Sequence, residues 1–108
     1  MDLSQEKCVP CSLGTEPLNE DEIKSFMDLV DDQWIVDNNG HLFRKFKFKD
    51  FAQALDFTNK VGKVAETEGH HPDIFLAWGK VEVTLFTHKI KGLSDNDFIL
   101  ASKIDKLV

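Results

Sequence analysis

The stretch from Val81 to His88 constrains the fold more than any other part of the chain. Val81, Val83, Leu85 and Thr87 alternate with Glu82, Thr84, Phe86 and His88, a period of two that suits an extended strand with one buried face. A strand needs partners, and three further segments qualify. Trp34-Ile35-Val36 and His41 to Phe48 are strand-like and are separated by Asp37-Asn38-Asn39-Gly40. Asn-Gly tolerates positive φ at both centres of a type I′ turn, which predicts a hairpin. In the longer strand Leu42, Arg44, Phe46 and Phe48 share one face, and Phe43, Lys45 and Lys47 share the other, which faces water. Ile74 to Trp78 and Lys80 to His88 form a second pair.

Helical signals punctuate these strands. Asn19 and Glu22 have the spacing of a capping box, flanked by Leu18 and Ile23 as a hydrophobic staple. Ile23, Phe26, Met27 and Val30 then recur at helical spacing, predicting a helix over 20–31. Asp50 with Gln53 opens a second helix over 51–67, whose stripe is Phe51, Ala54, Leu55, Thr58, Val61, Val64 and Ala65. Gly62 weakens it slightly, and Gly69 suits a left-handed terminator. Ser94 caps a last helix to about Leu107, with Asp97 in the reciprocal capping position and Leu93 and Phe98 as the staple. The order α-β-β-α-β-β-α predicts an α+β fold, a four-stranded antiparallel sheet with helices packed on one face. Residues 1–17 lack periodicity and read as an irregular lead-in to a single domain over 18–108.

Composition narrows the function. A chain of 108 residues can bury one modest core, and nine Phe with two Trp and no Tyr make that core aromatic. The net charge of −6 argues against a dedicated nucleic-acid partner, so Arg44, Lys45, Lys47 and Lys49 read as a solvated strand face. No run approaches the roughly 18–20 apolar residues of a membrane span. The opening Met1-Asp2-Leu3-Ser4-Gln5-Glu6-Lys7 has no secretory pattern, so a cytoplasmic location is expected, with Cys8 and Cys11 reduced. Their CxxC spacing is one that thiolate ligands use. Without a second CxxC or a His-x₃-His pair it is a weak metal signal, and no metal is expected. The last helix carries apolar residues on more than one side: Phe98, Ile99, Leu100, Ala101, Ile104 and Leu107. Part of it is therefore expected to meet another subunit.

The chemistry-bearing cluster is Glu66-Thr67-Glu68-Gly69-His70-His71-Pro72, with Trp78, His88 and Asp97 beyond it. Pro72 pushes His71 toward extended geometry. Adjacent extended residues point to opposite sides, so His70 and His71 suit two roles rather than one shared ion. His88 falls at the end of the last strand, opposite Val81, Val83 and Leu85. Histidine is the side chain best poised to exchange protons near neutral pH. Taken singly, a histidine is more often a surface residue without a role. Asp97 is explained by its cap, Glu66 by a solvated helix face and Trp78 by core packing.

Together these elements carry more. Glu66, His70-His71-Pro72, Trp78, His88 and Gly92-Leu93-Ser94-Asp95-Asn96-Asp97, with Trp34 opening the first strand, form a pattern that resembles the pterin-4a-carbinolamine dehydratases over roughly residues 18–107. The resemblance implies dehydration of a 4a-hydroxytetrahydropterin to quinonoid dihydropterin and water, in recycling of the product of aromatic amino-acid hydroxylases. It implies His70, His71 and His88 as the acid–base and pterin-contacting set, Asp97 and Glu66 in support, and Trp34 and Trp78 as walls for the flat substrate. It requires neither cofactor nor metal, and it implies a homodimer or homotetramer with a functional link to a hydroxylase. A non-catalytic binding module on the same scaffold is the rival reading.

Overall fold

The computed structural model describes residues 2–9 and 16–108. Its main elements run α1 (Glu20–Met27), β1 (Ile35–Val36), β2 (Leu42–Lys47), α2 (Phe51–Glu68), β3 (Asp73–Ala77), β4 (Lys80–Leu85) and α3 (Asp95–Asp105). This is the α+β order read from the sequence. The strands form one antiparallel sheet in the order β1-β2-β4-β3. Leu42 pairs with Leu85, Arg44 with Val83 and Phe46 with Val81, so the apolar positions of both central strands share a face. Phe57 and Val61 of α2 and Phe98, Leu100 and Ile104 of α3 bury against it in one cluster. Burying a side chain of this size typically contributes about 1.5–3 kcal/mol. The opposite face, with Lys45 and Lys47 exposed, carries no helix among the residues of this cluster.

The caps explain where the helices begin. Asn19 accepts from the Glu22 N–H at 2.8 Å while Glu22 returns to the Asn19 N–H at 3.0 Å, closing the capping box. Asp50 accepts from the Gln53 N–H at 2.9 Å at the start of α2, a contact typically worth about 1 kcal/mol. α1 stops at Met27, short of the expected residue 31. Asp31 keeps the chain from continuing as helix. Its Oδ1 takes the Gln33 N–H and its own N–H goes to Asp105 Oδ2, both at 2.9 Å, which turns the backbone out of the helical path.

Two turns differ from expectation. The β1–β2 connection is not a type I′ turn, because only Gly40 has positive φ there. Asp37 instead accepts the N–H groups of Asn39 and His41, each at 2.9 Å, and the turn closes around its carboxylate. β4 ends at Leu85 rather than His88. Thr87 and Gly92 pair across an isolated bridge, and the loop between them winds through a 3-10 turn at His88–Ile90, with Lys91 at φ 54°.

The lead-in is the largest departure. Leu3, in a 3-10 turn over Leu3–Gln5 capped by Asp2, is 1% exposed and belongs to the main core. It packs where α3 is apolar beyond its sheet-facing side. Five of the six apolar residues named for α3, Phe98, Ile99, Leu100, Ala101 and Ile104, are already buried within this chain, and Leu107 is partly exposed. Cys11 lies outside the described residues.

Candidate active site

Backbone chemistry delivers two histidines to one end of the sheet. α2 terminates at Gly69, which adopts φ 66°, a left-handed conformation that L side chains resist. The chain then runs through His70, His71 and Pro72 directly into β3. The two imidazoles diverge. His70 turns inward, with Nε2 2.6 Å from Asp97 Oδ1. His71 stays exposed, with Nε2 hydrogen-bonded to Glu66 Oε2.

Asp97 is 0% exposed, and both its carboxylate oxygens are engaged. Besides His70 it accepts the Thr87 hydroxyl at 2.8 Å and the Ser94 N–H at 3.0 Å, both on Oδ2. Ser94 Oγ lies 2.9 Å from Thr87 Oγ1. The α3 cap and the histidine anchor are thus one carboxylate. A carboxylate only accepts, so His70 donates from Nε2 and keeps Nδ1 free of Asp97.

His88 comes from the other wall. Its ring meets the Phe86 ring edge-on at a centroid distance of 5.1 Å, and no hydrogen bond engages its nitrogens among the described residues. Phe86 also packs against the His41 ring, at a centroid distance of 4.0 Å. His70, His71 and His88 line a single cleft of about 400 Å³ with Phe86, Thr87 and Lys89. A larger hollow of about 520 Å³ lies along Ile35, Phe43 and Val108 and holds none of the histidines.

The family model described as Pterin 4 alpha carbinolamine dehydratase matches residues 16–107. The chain belongs to this family, which is one of hydro-lyases. A relative from Alkaliphilus metalliredigens (strain QYMF), provisionally named a pterin-4-alpha-carbinolamine dehydratase, is 58% identical over 96% of this chain and 94% of its own length. A crystal structure of a transcriptional coactivator/pterin dehydratase from Brucella melitensis superposes with a TM-score of 0.79 at 35% identity, covering 85% of this chain and 98% of that one. A pterin dehydratase-like protein described as a RuBisCO assembly factor in the alpha-carboxysome superposes at 0.60 with 25% identity, over 69% of this chain and 88% of that one.

Within this pterin dehydratase fold, neither tryptophan lines the histidine cleft. Trp34 is buried in the core and donates Nε1–H to Asp105 Oδ1 at 2.8 Å. Asp105 also accepts from Arg44 Nη1 at 2.7 Å, and burial pushes its carboxyl above the ordinary range. Trp78 is 71% exposed in the tight β3–β4 turn, beside Gly79 at φ 67°. β3 pairs with β4 from Asp73–Thr84 to Ala77–Lys80, so this turn lies at the far end of the hairpin from His70 and His71.

Among the contributors to the cleft that sequence reasoning missed are Thr87, Asn96, Cys8 and Val9. Thr87 is legible in the sequence only as an apolar-phase strand position. The others belong to contacts separated by more than eighty residues, for which no local periodicity exists. Cys8 itself is no thiolate: burial, then the nearby Glu68 carboxylate, push its thiol up to about 12. Among the described residues no group of three His, Cys, Asp or Glu side chains is arranged to hold a metal ion.

Proposed function

We propose that this protein dehydrates 4a-hydroxytetrahydropterins, releasing quinonoid dihydropterin and water by histidine acid–base catalysis. The observation that carries the reading is the convergence of three histidines on one cleft in three different hydrogen-bonding states. In the reaction a ring-nitrogen proton leaves, the C4a–O bond breaks, and the departing hydroxyl takes a proton and leaves as water. His70, with Nε2–H committed to Asp97, keeps Nδ1 as the acceptor for the ring-nitrogen proton. His88, with its nitrogens unengaged, donates to the hydroxyl. His71, tied to Glu66 at the rim, holds the substrate. Positioned proton transfer of this kind typically contributes roughly 10²–10⁴-fold.

The same reading carries tetrahydrobiopterin recycling beside an aromatic amino-acid hydroxylase, in the cytoplasm, by a homodimer or homotetramer. No helix among the described residues is long and apolar enough to cross a membrane. Self-association is supported by exposed Ile35 and Phe75 on the bare sheet face rather than by α3. The assembly-factor likeness supports a second reading, a binding module on the same scaffold.

The deciding experiment generates the 4a-hydroxytetrahydropterin in situ and follows its ultraviolet decay with wild type and His88→Ala. Acceleration lost in the variant supports the dehydratase. A folded protein that accelerates nothing sinks it and puts the binding module first.

A further inference from the structure

The segment Asp2–Val9 precedes the residues that match the family model, yet it forms part of the histidine cleft. It is fastened at successive points. Leu3 is buried in the core, and Lys103 Nζ donates to the Ser4 carbonyl at 2.8 Å. The Cys8 N–H donates to Glu68 Oε1 at 2.9 Å, and Cys8 Sγ lies 3.6 Å from the Asn96 carbonyl. Asn96 then treats Val9 as a neighbouring strand would. Its Oδ1 accepts the Val9 N–H at 3.0 Å and its Nδ2 donates to the Val9 carbonyl. Asn96 is buried.

The result is peculiar for an apolar residue. Val9 has its backbone pinned at both polar groups by a buried side chain, while its own side chain is 61% exposed at the cleft. A backbone held that firmly presents the side chain in a fixed place, which is preorganisation of a surface for something to cover. The histidines, Thr87 and Lys89 supply polar lining, and Val9 and Phe86 supply apolar lining. Asn96 also adjoins Asp97, so the first turn of α3 sets the His70 side through one residue and the Val9 side through the next.

We propose that Val9 is a specificity-determining contact for the less polar ring edge of a bicyclic reduced-pterin ligand, and that Asn96 is the positioning residue that holds it there. The proposal rests on the dehydratase reading for the ligand's identity. Among the described residues the hydrogen bonds of Val9 go to Asn96 and not to a histidine, and an apolar contact is equally good before and during the reaction. Its loss therefore weakens binding without slowing chemistry, raising KM and leaving kcat.

The test measures kcat, KM and melting temperature with 4a-hydroxytetrahydropterin for wild type, Val9→Ala, Val9→Ile, Asn96→Ala, Asn96→Asp and the Val9→Ala/Asn96→Ala double variant. Val9→Ala is expected to raise KM about tenfold, within the range for removing methyl groups from a binding pocket, with kcat within about twofold and an unchanged melting temperature. Val9→Ile keeps KM near wild type. Asn96→Ala raises KM in the same direction. Asn96→Asp, which turns a carboxylate oxygen against the Val9 carbonyl, raises it as well, and the double variant is no worse than Asn96→Ala. A wild-type KM in Val9→Ala, or a fall in kcat instead, overturns the proposal while leaving the dehydratase standing, and does so even if the Asn96 variants fail to fold. An inactive wild type removes the dehydratase and the proposal with it.

Discussion

Replacing Asp97 with Asn isolates what the buried carboxylate does for His70. The side chains have nearly the same size, so the perturbation is one of hydrogen-bond direction. Asp97 accepts three hydrogen bonds, from the His70 ring, the Thr87 hydroxyl and the Ser94 N–H. In Asp97→Asn the amide oxygen stays with Thr87 and Ser94, where a donor would oppose a backbone N–H, and the amide nitrogen is left facing His70. The imidazole must then accept at Nε2 and carry its proton on Nδ1, reversing the tautomer offered to the cleft. Three contacts lose their charge assistance and none is left empty, so the expected destabilisation is about 1–3 kcal/mol. That is a minority of a typical stability of roughly 5–15 kcal/mol, and the variant folds. Turnover is expected to fall roughly 10²–10⁴-fold. The assay is the ultraviolet dehydratase decay, with imidazole nitrogen shifts by NMR reporting the tautomer and circular dichroism reporting the fold. The double variant Asp97→Asn/His70→Ala should be no slower than His70→Ala alone. A folded Asp97→Asn protein with the reversed tautomer and turnover within about threefold of wild type would refute the reasoning.

Two further predictions concern groups moved by burial. Asp105 has its carboxyl raised above the ordinary 3.8 chiefly by desolvation, so the folded chain holds the proton more tightly than the unfolded one. Its contribution to stability is therefore fully present below 3.8 and is lost as pH rises through the folded value; urea midpoints of wild type relative to Asp105→Asn should fall with rising pH across that window, and a difference that grows instead would reverse the assignment. Cys8, with its thiol at about 12, should resist iodoacetamide at about pH 8 in a Cys11→Ser background and react promptly once unfolded in urea, because the thiolate is the nucleophile; equal rates in the two states would show the thiol open.

How far the sequence could be read depended on the range of each interaction. Alternation along Val81–Leu85 and the caps at Asn19, Asp50 and Ser94 are local, and the elements they announce are present. Elements ended where partners distant in sequence intervened, as when Asp105 drew the Asp31 N–H and kept α1 short. His70 and His71 diverge as Pro72 dictates, but only the fold reveals that His70 reaches the capping carboxylate of α3. Trp34 illustrates the opposite failure. Its indole N–H has a partner in Asp105, which no spacing rule announces, and that partner keeps it in the core. The surplus apolar character of α3 does signal a cover, as its sequence implies. The cover comes from Leu3, which no periodicity marks, together with Phe26 of α1, which stacks on Phe98.

The double duty of Asp97 limits how this protein can be stabilised. At the third position of a capping box a glutamate is the usual choice, and an engineer raising heat tolerance by helix optimisation would introduce it. Here the extra methylene would lengthen the arm that carries His70 by about 1.5 Å, and displacements of about 1 Å at a reacting group can cost a hundredfold in rate. Under the proposed mechanism thermal robustness and turnover meet in one side chain, and variation that improves the first turn of α3 as a helix would be filtered out by the chemistry it supports.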